Sequence, residues 1–321
     1  MNKLKLSTIC LAVALFSLCL LEVYAEIADI NEKNVVIFTN KNMVPYQVAL
    51  DGFKQKLQDQ GVSISAKMYD IGEENMYIDT EKVKESNPDM IISFGIESTR
   101  MVFEAIEDVP VIFTMVLNPV QEGFISEANP TATNFTGVSL NIEPFLQLKK
   151  ITEVTPSLKR IAIMYDPSKS EHIVKAAEKS AGSLGLKLIK VPISDGKEIE
   201  TALNTLKITA DAIWTIPDTT VYAGVYMKHI LLFSIKNNIP LIGFSSSFVK
   251  AGALFGVYSD YADIGRQTAD LSIKLLNGIP VSNIPVQSPA KVNIALNLGI
   301  AQRFGVKFSD KVINSAAQVF E

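Results

Sequence analysis

Three groups of hydroxyl and carboxylate residues stand just after apolar runs, and their types suit the capture of a small charged molecule. Ser98 and Thr99 follow Met90–Phe94 and Gly95, Asp218 follows Ala212–Ile216 and Pro217, and Ser245, Ser246 and Ser247 follow Pro240–Phe244. Hydroxyls at the start of a helix, with the free N–H groups there, favour an anion. A carboxylate such as Asp218 favours an ammonium. Tyr46, Met115, Tyr165 and Tyr258 stand near other apolar runs, where they would wall off an apolar or aromatic group. An amino acid or similar zwitterion, with both charges one carbon apart, matches this set. Each group also has an ordinary alternative: helix capping for Ser98, Thr99 and Asp218, a plain loop for the serines, and core packing for the tyrosines and Met115.

Catalytic and metal chemistry find less support. Asp166 and Asp218 have no recognisable catalytic partner, and neither a nucleophile elbow nor a phosphate-loop pattern occurs. His172 and His229 both fall on predicted helices, with no third histidine and no cysteine nearby, so neither a metal nor a cofactor is expected. Glu97 and Arg100 read as solvated helix charges and Trp214 as core. The chain reads as a binding protein and not as an enzyme.

The elements that must position these residues follow a repeating plan. Met90–Phe94 and Val109–Val116 are buried strands joined by a helix with Met101, Val102, Ala105 and Ile106 at helical spacing. The turn after the first strand lies at the carboxyl edge, where open α/β sheets bind ligands. Strand Val35–Phe38, a helix, Gly61 and a strand are matched by strand Ile161–Tyr165, a helix, Gly185 and a strand. Val109-Pro110-Val111-Ile112 is matched by Ile239-Pro240-Leu241-Ile242. A repeat of βαβ type implies two similar α/β lobes, whose carboxyl edges can face each other across a cleft. Strands at Phe135–Leu140, Ala253–Val257 and Pro285–Leu296 are the natural crossovers. Helices are expected near 75–86, from about Thr220 to Asn237, and over Ser309–Val319.

The first 25 residues read as a cleaved secretory signal. Lys3 and Lys5 precede the largely apolar run Leu6–Leu21, and Val23-Tyr24-Ala25 is a small-x-small cleavage site. The only cysteines, Cys10 and Cys19, lie in this stretch, so the mature chain holds no disulfide and depends on its core alone. Cleavage removes Lys3, Lys5 and Glu22 and takes the net charge from −4 to −5. Such mild acidity argues against a nucleic-acid partner and against an anionic membrane surface. A monomer in the periplasm is expected.

The stretches VPVIFTMVLNPVQEGF, NFTGVS, LKRIAIMYDPS, DAIWTIPDTTV, IPLIGFSSSFVKAGALFGVYSDYADIGRQTADLSIKLLNG and KVNIALNLGIAQRFGVKF, in this order and spacing, resemble a known family. It is that of the periplasmic-binding-protein-like ABC transporter substrate-binding proteins, of the group that includes tryptophan- and tyrosine-binding lipoproteins. The resemblance implies an α/β fold of type I periplasmic binding protein kind: two Rossmann-like lobes with parallel sheets, joined by three crossover strands, with a small solute between them. The lobes are expected at residues 26–138 plus 257–287 and 139–256 plus 288–321. The implied partner is an ABC permease in the inner membrane; a sensor kinase or chemoreceptor is the alternative. The group often carries Thr-Asp-Pro where this chain has Leu117-Asn118-Pro119, which places Asn118 near the expected site. It also tends to have a small-residue turn where this chain has Ile96-Glu97-Ser98.

Overall fold

The computed structural model describes residues 33–72, 79–126 and 133–321. The expected signal over residues 1–25, with Cys10 and Cys19, lies outside the described residues, as does the first part of the helix expected near 75–86. No helix among the described residues is long and apolar enough to cross a membrane. The chain divides into two compact units, Met1–Ser139 with Gly265–Gln287, and Leu140–Ile264 with Ser288–Glu321.

The first unit is built from β1 (Lys33–Thr39), α1 (Val44–Asp59), β2 (Ile64–Asp70), α2 (Thr80–Glu85), β3 (Met90–Phe94), α3 (Gly95–Ala105), β4 (Val111–Val116) and β5 (Phe135–Ser139). Its sheet has the order β2-β1-β3-β4-β5, and every neighbouring pair is parallel. Strands β3, β4 and β5 are buried along their whole length. Their unbroken apolar runs reflect cover on both faces of a parallel sheet. On one face Val36, Phe38, Ile91 and Phe113 pack with Val102 of α3 and with Ile106 just after it.

The second unit contains α4 (Pro144–Val154), β6 (Arg160–Tyr165), α5 (Pro167–Ser183), β7 (Lys187–Pro192), α6 (Ile199–Thr209), β8 (Ala212–Trp214), α7 (Gly224–Asn237), β9 (Leu241–Gly243), α8 (Ser246–Lys250), β10 (Phe255–Ser259), the start of α9 (Tyr261–Leu276), β11 (Val292–Asn297), α10 (Leu298–Phe304), α11 (Asp310–Ser315) and β12 (Gln318–Phe320). The sheet order is β12-β11-β10-β9-β8-β6-β7. All its pairs are parallel except β10 with β11, which is antiparallel. Its core gathers Trp214, Phe255, Ile161, Ile163 and Leu241 among many others.

The chain passes between the units at three places. The first follows β5 directly. The second falls inside helix α9, so the strand expected there, now β10, belongs wholly to the second unit. The third follows Gln287, which forms a single parallel bridge to Val138. After the second passage α9 packs on α1 so closely that a Cβ on Gly265 would stand 2.7 Å from the Ala49 carbonyl carbon and 2.8 Å from the Phe53 nitrogen. Both neighbours are backbone and cannot step aside, which explains a glycine inside a helix despite its poor propensity. Lys56 and Asp270 form an ion pair at 3.1 Å across the same contact.

Several expected elements differ in extent. The helix anticipated from Thr220 starts at Gly224, because Asp218 first closes a turn in which its carbonyl accepts from Tyr222 N–H at 2.9 Å. The serine loop proves to be a cap followed by the short helix α8. The C-terminal helix expected over Ser309–Val319 ends at Ser315, and Gln318–Phe320 pairs with β11 as a strand.

Candidate ligand site

In the first unit, Tyr46, Gly95, Ser98, Thr99, Met115 and Asn118 share the carboxyl edge of the sheet. Phe94 pairs with Thr114, so β3 and β4 end side by side. Gly95 opens α3 with φ +86°, and a Cβ there would stand 2.9 Å from Cε2 of Tyr46 and closer still to its hydroxyl. The Tyr46 ring, delivered by the first turn of α1, therefore sits on the glycine. Burial, and after it the Glu97 carboxylate, raises the Tyr46 phenol above its ordinary pKa.

Ser98 and Thr99 do not start the helix, contrary to the expectation from their residue types. They lie within it and are fully buried. Ser98 Oγ donates to the Phe94 carbonyl at 2.6 Å, and Thr99 Oγ1 donates to the Gly95 carbonyl at 2.7 Å and lies 2.9 Å from Ser93 Oγ. Their hydroxyls lock the first turn of α3. No side chain caps that helix, so its first N–H groups have no partner within it. These backbone groups, and not the two hydroxyls, are the anion-favouring feature of this edge.

Beside them the end of β4 is irregular. The register against β5 shifts between Thr114 and Val116, which leaves Met115 as the extra residue. Met115 has φ +59° and Asn118 φ +48°. The loop after Asn118 is tied to α3, since the Arg100 guanidinium is hydrogen-bonded to Glu122 and lies 5.3 Å from the Phe124 ring centre.

In the second unit, Tyr165, Asp218, Ser245, Ser246 and Tyr258 share the carboxyl edge formed by β6, β8, β9 and β10. Asp218 is buried, and its acceptors are engaged within the unit. One oxygen takes Asp166 N–H at 2.8 Å and Ser170 Oγ at 2.7 Å; the other takes Thr220 N–H at 3.0 Å and Val221 N–H at 3.1 Å. Asp166 answers it by accepting from Thr220 Oγ1 at 2.6 Å and from Ser168 Oγ and N–H at 2.7 and 2.9 Å. Those bonds, that of Thr220 first, hold the Asp166 carboxyl below the usual carboxylate range. The two aspartates thus clamp the turn after β6 to the turn after β8.

Ser245 caps α8, accepting from Phe248 N–H at 3.2 Å, and its Oγ lies 3.0 Å from Ser247 Oγ; Ser246 is half-buried beside it. Tyr165 and Tyr258 are both buried at the edge. Burial, followed by a hydrogen bond to Glu171, raises Tyr165, while burial, with Tyr261 and Asp260 near, pushes Tyr258 up to about 12.

Two features of these edges carry no signal in the sequence. Tyr222, buried beside Asp218 and 6.4 Å from the Phe244 ring centre, follows a polar turn that gave no apolar periodicity to read. The bulge at Met115 left no trace in an apolar run. Among the described residues, no cluster of three or more histidine, aspartate or glutamate side chains could hold a metal ion.

The sequence pattern of the family described as "ABC transporter substrate binding protein" matches residues 35–320. The chain belongs to that family. It is 26% identical over 284 residues to a tyrosine-binding protein of Clostridioides difficile (strain R20291), covering 83% of this chain and 79% of the relative. Among solved structures, a ligand-free, open substrate-binding protein with adhesive properties from Clostridium difficile superposes with a TM-score of 0.67 at 23% identity, covering 90% and 99% of the two chains. An ABC domain from Streptococcus pneumonia in complex with L-Trp gives a TM-score of 0.59 at 21% identity, covering 90% and 100%. The fold is the type I periplasmic binding protein kind, with two parallel-sheet α/β lobes. Family members bind solutes, and amino-acid binders are among this chain's relatives.

Proposed function

We propose that this protein is an extracytoplasmic receptor that captures an amino acid with an aromatic or large apolar side chain and hands it to an ABC permease. The observation that carries this reading is the edge of the first unit. There an uncapped helix start and the Tyr46 ring seated on Gly95 put backbone donors beside an aromatic wall, and Met115 stands near the end of the adjoining strand. The donors suit a carboxylate and the wall suits a ring. Membership of the substrate-binding family supports a small solute and a permease partner. The tyrosine-binding relative and the L-Trp complex support the choice of an amino acid.

Asp218 enters this proposal in a changed role. With its acceptors engaged inside its own unit, it shapes the second edge and does not itself grip the ammonium. Tyr165, Ser245, Ser246 and Tyr258 are the proposed solute contacts from that edge, and Asn118 and Met115 those beside Tyr46.

A thermal-shift screen of the processed protein against the twenty L-amino acids and a set of sugars tests the reading. A ligand at about a hundred times its Kd stabilises by about 2.7 kcal/mol. L-tyrosine or L-tryptophan should raise the melting temperature clearly. A shift with a sugar and with no amino acid would contradict it.

A further inference from the structure

Met115 carries a side chain where the backbone favours glycine. Its φ of +59° lies in the left-handed region, where Cβ crowds the following carbonyl. Glycine would adopt it freely. Such a conformation persists only where its surroundings over-determine it, and it concentrates at functional sites.

The surroundings here do so from three sides. A Cβ on Gly137, in the neighbouring strand β5, would meet Cδ2 of Phe113 at 2.6 Å, so β5 presses directly on β4 just before the bulge. Thr268 of α9 donates to Thr114 Oγ1 at 2.9 Å and holds the residue before Met115. After the bulge, Asn118 is itself left-handed, its carbonyl accepts from Glu122 N–H at 3.0 Å, and Glu122 is bound in turn by Arg100 of α3. The bulge is thus fixed to both neighbouring strand and helices. A bulge at a strand end re-aims the side chain it carries.

We propose that Met115 is the specificity-determining residue of the amino-acid site: the bulge sets its thioether against the side chain of the bound solute, and its volume decides which side chain fits. This deepens the amino-acid reading above and rests on it. A flexible, polarisable thioether tolerates rings of different shape and makes favourable sulfur–aromatic contacts. A change of one methylene in such a wall alters discrimination by about tenfold or more.

Calorimetry with L-tyrosine, L-tryptophan, L-phenylalanine and L-leucine on the native chain and on Met115→Leu, Met115→Ala and Met115→Gly tests this. Met115→Leu, which keeps the volume, should keep the affinity order. Met115→Ala and Met115→Gly should change that order, with L-tryptophan gaining on L-leucine by about tenfold. Met115→Gly should melt no lower than Met115→Ala, because it removes the left-handed strain. The same affinity order in all four proteins would overturn the role of Met115 and leave the amino-acid reading standing. A native chain that binds none of the four would overturn the amino-acid reading and this inference with it.

Discussion

The Tyr46 ring occupies the space that a side chain at position 95 would need, and Gly95 stands at φ +86° beneath it. Helix α1 and the start of α3 are locked to one another through this pair, so the glycine serves both a backbone conformation and a contact. Gly95→Ala should cost about 1–2 kcal/mol from the left-handed backbone, plus the displacement of the ring. Tyr46→Ala removes the clash but not the backbone cost. Denaturant melts of the two single variants and the double variant should therefore show coupling of about 0.5–3 kcal/mol, the double being more stable than additivity allows. Additive losses would separate the two residues.

Asp218 is the clamp of the second unit's edge, with four donors on one buried carboxylate. Asp218→Ala leaves buried N–H groups without acceptors, at about 1–3 kcal/mol each. The variant should lose several degrees of melting temperature without any solute present. A variant as stable as the parent and impaired only in binding would instead return Asp218 to direct contact with the ammonium.

Gly265 lets α9 lie on the backbone of α1. Gly265→Ala gains helix propensity of about 1 kcal/mol, but overpacking costs about 1–3 kcal/mol. Since both neighbours are backbone atoms, overpacking should win, and urea melts should show net destabilisation. A stabilised variant would mean that the two helices separate readily.

Asp166 has its carboxyl pKa held down, first by Thr220 and then by Ser168. A depressed folded pKa contributes stability that is fully present above the unfolded value of about 3.9. That contribution is lost as the pH falls through the lower folded value. Melting temperature should be flat with respect to this group near neutrality and should fall steeply below about pH 4. Asp166→Asn should melt lower at neutral pH, and its curve should converge on the parent's in acid. Parallel curves down to pH 2 would exclude the linkage.

Much of the architecture was legible because parallel strands buried on both faces read as apolar runs, and Val35–Phe38, Met90–Phe94 and Ile161–Tyr165 are such runs. Met115 falls at the end of another such run and Ser245 just after one, so their places at strand ends are legible too. What was hidden depended on tertiary partners. Gln318–Phe320 is too short to signal a strand and becomes one by pairing with β11. The antiparallel β10–β11 pair leaves no local mark. Ser98 and Thr99 have the composition of a cap, yet the helix range already begins at Gly95, so their hydroxyls turn back to the carbonyls of Phe94 and Gly95. Asp218 has the composition of a ligand contact, and only the folded chain brings Asp166 N–H and Ser170 to it.

On the proposed function, the solute is recognised as a zwitterion with an apolar or aromatic side chain. Calorimetry with L-tyrosine, with tyramine, which lacks the carboxylate, and with 3-(4-hydroxyphenyl)propionate, which lacks the amine, tests this. A hydrogen bond to a charged group contributes about 1.5–3 kcal/mol, and each 1.4 kcal/mol is about tenfold in affinity. L-tyrosine should bind, and each analogue should bind at least about tenfold more weakly. Equal affinity for L-tyrosine and either analogue would rule out recognition of both charges.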